Sequence, residues 1–191
     1  MSESGMRERI LDAAAGITIG GGWSAVSMGR IASAVGVSRQ TVHTEIGTKA
    51  ELAEALVIRE VECFLHEVIA GFDGAPDVPT AIERSITRVL SRSEDSALVR
   101  AVVGVAHGAD TELLPLLTTR PEHLLELATA TVQGLVAPFA LPLPQARIDA
   151  TIEVIVRVAL SQVMHPTGSP REVGEHLAWM VRTVLDALPP A

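Results

Sequence analysis

Apolar residues recur along this chain at three- and four-residue intervals, and glycine, proline and hydroxyl residues interrupt them where helices would start and stop. Ile10, Ala13, Ala14 and Ile17 form one stripe of a helix predicted over Met6–Ile19, ended by Gly20, Gly21 and Gly22. Ser27 is placed to cap a short helix over Met28–Val35 that Gly36 stops, and Ser38 to cap the next, from Arg39 to about Thr44. Thr48 and Glu51 have capping-box spacing at the head of a long helix over Lys49–Ile69, with Leu52, Leu56, Phe64 and Val68 inward and Gly71 at its end. Further helices are predicted from Pro79 to Ser91, Ser96 to Ala106, Pro121 to Ala137, Pro144 to His165 and Pro170 to Leu188, with a short helical piece around Glu112–Leu117. The expected fold class is all-α: a three-helix head over residues 1–47 and a helical body over 48–191, with about nine or ten helices in all.

Composition agrees and narrows the function. Hydrophobic residues make up 48% of the chain but aromatics only 3%, so Ala, Val and Leu carry the apolar content, which suits packed helices better than a β-sandwich. No apolar run reaches the ~18 residues of a membrane span, and Met1–Ile10 is of mixed charge without a signal-peptide core. A cytoplasmic location is expected. Cys63 is the only cysteine, so a disulfide framework and a cysteine-based zinc site are both out of reach. The formal charge of −8 is uneven. Arg7, Arg9, Arg30, Arg39 and Lys49 outnumber Glu3, Glu8, Asp12 and Glu45 in the first 50 residues, a net of +1 that leaves −9 for the rest. This is the balance of a DNA-binding head on an acidic body, not of a protein that coats DNA throughout.

Ser27–Ile46 has the features of a helix-turn-helix. Ile31, Ala32 and Val35 give the first helix a small apolar face, and Ala32 lets the second cross closely. Gly36 supplies the turn, Val37 plugs it, Ser38 caps the second helix, and Val42 and Ile46 anchor that helix from below. Arg39, Gln40, Thr41, His43 and Thr44 are left pointing outward. Arg and Gln match guanine and adenine edges, and Thr meets a thymine methyl or a phosphate. Lys49 sits at the first position of the following helix, where a cation opposes the macrodipole; a DNA phosphate there would reverse the sign, attracted by both.

Arg7-x-x-Ile10-Leu11-x-Ala13-Ala14, then Gly22, then Ile31-Ala32-x-x-x-Gly36-Val37-Ser38-x-x-Thr41, then Lys49-x-x-Leu52 resembles the TetR (tetracycline-repressor) family. The resemblance covers residues 7–56; beyond them only the helical pattern agrees. It implies a homodimeric, ligand-responsive repressor that binds a palindromic operator and is released by a small effector. It also implies DNA contacts from Ser27, Ser38, Arg39, Gln40, Thr41, His43 and Lys49. Four positions depart from the family's habit: His43 stands for a usual tyrosine, Ile46 for phenylalanine, Glu45 for a basic residue or histidine, and Arg30 for an acid.

In the body, Ile148, Ile152, Ile155, Ala159 and Val163 form one apolar stripe, and Leu177, Val181, Val184 and Leu188 another. Either is ordinary core by pattern alone; the resemblance implies that the two helices pair with their copies as a four-helix bundle between subunits. It also suggests a pocket near Cys63, Phe64, Val103, His107, Leu113, Leu117, His123, Leu127, Phe139 and Val156. The aliphatic bias of that set points to an apolar, lipid-like effector. No cofactor and no metal is expected: Cys63-x-x-His66 supplies two ligands of four, Gly47-Thr48-Lys49 lacks a P-loop's glycines, and no Gly-x-Ser-x-Gly occurs. A catalytic role is therefore not expected. The alternative is a helical small-molecule-binding or interaction protein whose head has weak or lost DNA binding, as Glu45 and the acidic body would allow.

Overall fold

The computed structural model describes residues 3–96, 98–100 and 121–187, with side chains omitted at 3, 4 and 121–124. The described chain forms α1 (Glu3–Gly21), α2 (Met28–Val35), α3 (Arg39–Ile46), α4 (Lys49–Phe72), α5 (Val78–Asp95), α6 (Pro121–Val136), α7 (Gln145–Met164) and α8 (Pro170–Asp186). Single 3-10 turns lie at Trp23–Ala25 and Ala137–Phe139, and no strand occurs among the described residues. None of these helices is long and apolar enough to cross a membrane. The helix expected from Ser96 is described only to Arg100, where the Ser96 hydroxyl accepts from Val99 N–H at 3.1 Å. The short piece around Glu112–Leu117 lies outside the described residues.

The chain divides into two compact units. The first holds the described residues up to Val61, with Ser96 and 98–100. Its core joins Ile10, Leu11 and Ala14 of α1 to Trp23, Val26, Ile31, Ala32, Val35, Val42 and Ile46. The same core takes in Leu52, Ala53, Ala55 and Leu56 of α4, so packing carries this unit past the boundary expected at residue 47. A start signal such as Thr48-x-x-Glu51 marks where a helix begins, not where a core ends. On its outer side α4 is tied to α1 by Arg59, which reaches Asp12 at 2.7 Å and Glu8 at 3.5 Å.

The second unit comprises Glu62–Asp95 and the described residues from Pro121 onward. Helix α5 is buried along much of its length, at Val78, Ala81, Ile82, Ser85, Ile86, Val89 and Leu90, and α8 packs along it through Val173, Leu177 and Val181. Helices α6 and α7 complete the core with Val132, Val136, Ile152, Ile155 and Val156, and Phe72 meets Phe139 edge-to-face at 6.2 Å. Helix α8 opens on a capping box, Ser169 with Glu172, directly before Pro170 at its first position.

Helices α5 and α8 approach closely at Gly174. A Cβ there would lie 2.5 Å from Thr87 Oγ1 and 2.8 Å from the Glu83 carbonyl oxygen, and the second of these is backbone that cannot rotate away. Alanine gains ~1 kcal/mol over glycine in a helix interior, whereas overpacking costs ~1–3 kcal/mol. Gly174→Ala is therefore expected to lower the thermal midpoint. Gly134→Ala on α6, where nothing lies within 4 Å of the added carbon, is expected to raise it. Parallel thermal melts of the two variants check both signs.

Candidate nucleic-acid interface

The α2-turn-α3 segment is built as its residues require. Ser27 caps α2 by accepting from Arg30 N–H at 3.3 Å, and Gly36 ends it in the left-handed region at φ 76, with its own N–H returned to Ala32 O at 2.9 Å. Ala32 is buried in the core of this unit, and half-buried Val37 packs on the same core. Ser38 caps α3, accepting from Thr41 N–H at 3.0 Å, and the two hydroxyls lie 2.9 Å apart. Arg9 of α1 donates to Val35 O at 2.7 Å, which closes one of the carbonyls at the end of α2.

Helix α3 turns Val42 and Ile46 inward and leaves Arg39, Gln40, His43 and Thr44 exposed, with Thr41 half-exposed. The Thr44 hydroxyl donates back to Gln40 O at 3.0 Å and the Thr41 hydroxyl is shared with Ser38, so both are engaged locally. The Arg39 guanidinium and Gln40 amide are the long, exposed hydrogen-bonding groups of this row. His43 Nδ1 lies 2.6 Å from the Gly47 carbonyl oxygen. Gly47 turns the chain from α3 into α4 at φ 90, ψ −128, a conformation open to glycine. A Cβ on Gly47 would also run into the Glu51 carboxylate.

That carboxylate completes the expected capping box: Thr48 N–H donates to Glu51 Oε2 at 2.7 Å, and Glu51 N–H to the Thr48 hydroxyl at 3.2 Å. Hydrogen bonds from the Thr48 backbone N–H and the Thr48 hydroxyl hold the Glu51 carboxyl below its ordinary value, and the charge of His43 adds to them. Lys49 stands at the first position of α4, with its ammonium 5.2 Å from the centre of the Trp23 ring. Trp23 is buried and falls outside the helical pattern, because it sits in a 3-10 turn apart from any stripe. Arg7 and Arg30 also act structurally here, donating to Glu45 O at 3.2 Å and to Ala25 O at 2.9 Å.

The body residues fall differently from the sequence expectation. Ile152, Ile155, Leu177 and Val181, expected between subunits, are buried in the subunit's own core, with Ile148 half-buried beside them. Ile148, Ile152, Ile155 and Val181 line a cavity of about 30 Å³, hardly more than one water, together with Val78, Ile82 and Val136. The reason is that a stripe of period 3.6 identifies a buried face but not what buries it. The exposed large apolar residues of these two helices are Val154, Leu160, Trp179 and Val184. Of the expected pocket residues, Phe139 packs on the core and Val156 lies within it, while Phe64 is half-buried under the Arg92 guanidinium at 5.9 Å. Leu127 is exposed. Val103, His107, Leu113, Leu117, Leu188 and the side chain of His123 lie outside the described residues. Cys63 is half-buried, and among the described residues no three His, Cys, Asp or Glu side chains are grouped to hold a metal.

Comparison with known proteins bears on both units. Residues 10–56 match the family of bacterial regulatory proteins named for tetR, and residues 77–183 match the C-terminal domain of the bacterial tetracyclin repressor. The HTH-type transcriptional regulator AlkX of Mycobacterium tuberculosis is 27% identical over 177 residues, covering 92% of this chain and 83% of that protein. The crystal structure of the TetR family repressor AlkX from a Dietzia strain, implicated in biodegradation of n-alkanes, superposes with a TM-score of 0.73. It is 24% identical and covers 95% of this chain and 98% of its own. The fatty acid degradation regulator FadR of Bacillus halodurans superposes with a TM-score of 0.58 at 16% identity, over 95% of this chain and 99% of its own.

The Glu51 box gives this region an acid-sensitive joint. Because the folded state holds the carboxyl below its ordinary value of 4.5, the stabilisation is present above that value and is lost as pH falls through the lower, folded one. Glu51→Gln keeps an acceptor but removes the charge. Urea unfolding between pH 3 and 6 is expected to show the wild-type advantage over this variant shrinking as pH falls; parallel profiles would contradict it.

Proposed function

The chain belongs to the TetR family of bacterial regulatory proteins, and on that premise we propose that it is a transcriptional repressor that binds a palindromic operator as a homodimer and leaves it when a small apolar effector binds. The observation that carries the DNA reading is α3: two turns long, anchored by Val42 and Ile46, and projecting Arg39, Gln40, Thr41 and His43 as one polar row. A helix so mounted enters a major groove with its first turn at the base edges. Ser27 and Ser38 place the α2 and α3 N-termini toward phosphates, and Lys49 does the same for α4. Residues 1–47, joined by Lys49, carry the DNA contacts, and the rest of 48–191 the effector and dimer functions. Residues 1–50, Lys49 included, carry +1 and the rest of the chain −9, so this end is the part of the chain that DNA attracts. Such a protein works in the cytoplasm, and its residues call for no catalytic role.

Dimerisation is assigned to the outer faces of α7 and α8, where Val154, Leu160, Trp179 and Val184 are exposed, with Trp179 at 66% of its surface. An aromatic side chain that large and open is of the kind that anchors an interface. Ile148, Ile152, Ile155, Leu177 and Val181 then support that face from behind. An apolar effector fits the aliphatic composition of the body. The n-alkane and fatty acid contexts of the AlkX and FadR relatives support it.

Gel shifts on DNA from upstream of the protein's own coding sequence test the operator reading. Arg39→Ala is expected to lose ~1–3 kcal/mol at one base position and to relax specificity there. Lys49→Ala is expected to weaken all sequences alike and to reduce the salt dependence by about one phosphate per subunit. A Lys49→Ala protein with unchanged affinity and salt slope would remove the phosphate role. Trp179→Glu, with helicity checked by circular dichroism, is expected to elute as a monomer and to lose operator binding. An unchanged dimer would place the interface elsewhere.

A further inference from the structure

The His43 ring is held by a bond that settles which of its nitrogens carries the proton. Its Nδ1 lies 2.6 Å from the Gly47 carbonyl oxygen, and a carbonyl can only accept, so Nδ1 bears the hydrogen and donates. The backbone returns the bond, Gly47 N–H to His43 O at 2.9 Å, so ring and turn fix each other. In the neutral ring Nε2 is then a bare lone pair on an exposed face, beside Gln40 and one turn beyond Arg39. Such an atom repels a phosphate oxygen and repels the N7 and O6 of guanine. Protonated at Nε2, the same ring keeps its bond to Gly47 and becomes a charged donor to either.

We infer that operator binding by this protein takes up protons at His43, because the Nδ1-to-Gly47 bond leaves Nε2 able to meet a DNA phosphate only in the charged form. This rests on the operator-binding reading above and adds a regulator to it: the proton. The charged groups on the neighbouring elements are of both signs. On α3, Arg39 and Glu45 oppose each other in sign; from α4 come Lys49, over Trp23, and Glu51 in its box with Thr48. From α1 Arg7 reaches Glu45 O, and from α2 Arg30 is turned back onto Ala25 O. Cations and carboxylates are thus mixed around the ring in the free protein, and an incoming phosphate tips the balance toward the imidazolium.

The sign follows from linkage. If the complex binds more protons than its parts, affinity is greatest at low pH and declines as pH rises, up to about tenfold per pH unit for each proton taken up. A dimer with two His43 rings takes up at most two. The test is operator affinity from pH 6 to 8 at fixed salt, for wild type, His43→Gln and His43→Tyr. Calorimetry of the wild type in two buffers of different ionisation enthalpy then counts the protons. Wild-type affinity is expected to fall with pH while both variants, which do not titrate in this range, stay level. His43 is exposed, so the variants should fold, and a thermal melt confirms it. Matching pH profiles for all three proteins, or no buffer dependence of the heat, would overturn the inference and leave operator binding intact. Failure of all three to bind at any pH would overturn the operator reading and this inference together. Nitrogen-15 NMR of the free protein adds a check that needs no DNA: the neutral ring should be the Nδ1–H tautomer, and the Nε2–H tautomer would contradict the argument at its root.

Discussion

Val42 has no accessible surface and Ile46 almost none, and between them they pin a helix of only two turns onto the core formed by Ile10, Ile31 and Leu52. With so short a helix, two buried side chains one turn apart fix its rotation about its own axis. The polar row from Arg39 to Thr44 has no freedom to turn inward. Removing either anchor would cost packing energy in proportion to the cavity left behind, and would also release the orientation that any reading of DNA requires. Everything else in the head serves that placement. Gly36 and Gly47 bend the chain at either end of the turn and of α3. The Thr48–Glu51 box and the Lys49–Trp23 contact fix the start of α4 directly after the recognition helix.

Much of this is legible in the residues, because the signals are local. Caps at Ser27, Ser38 and Thr48, and the stop at Gly36, act within three or four residues of themselves, so sequence spacing and structural spacing coincide. The inward positions of α1 depart only slightly from the periodic pattern: Ile10 and Ala14 are buried, but Leu11 joins them while Ala13 and Ile17 are only half-buried. A 19-residue helix that packs on one side only rotates its stripe slightly to fit its neighbours. Trp23 is invisible to a periodic reading, since a 3-10 turn of three residues has no period to detect.

The body is harder to read for a physical reason. An apolar stripe states that a face is buried and is silent about the partner, so Ile152, Ile155, Leu177 and Val181 look equally suited to a neighbouring subunit and to the subunit's own core. The structure commits them to the core. What marks a surface open to a partner is a large apolar residue on an otherwise polar face; Trp179 is the more exposed of two on α8, set among Glu172, Glu175, His176 and Arg182. That contrast lies in the sequence too, but it emerges only when the outer face of a helix is read as closely as the inner one.

Two copies of this head, each with α3 fixed by Val42 and Ile46, are held to address DNA about a two-fold axis. Selection of bound duplexes from a random library by the full-length protein tests this even while the operator is unidentified. The expected result is enrichment of an inverted repeat whose half-sites are spaced by about one helical turn or a multiple of it. Absence of any enriched sequence, or enrichment of a site without dyad symmetry, would contradict it.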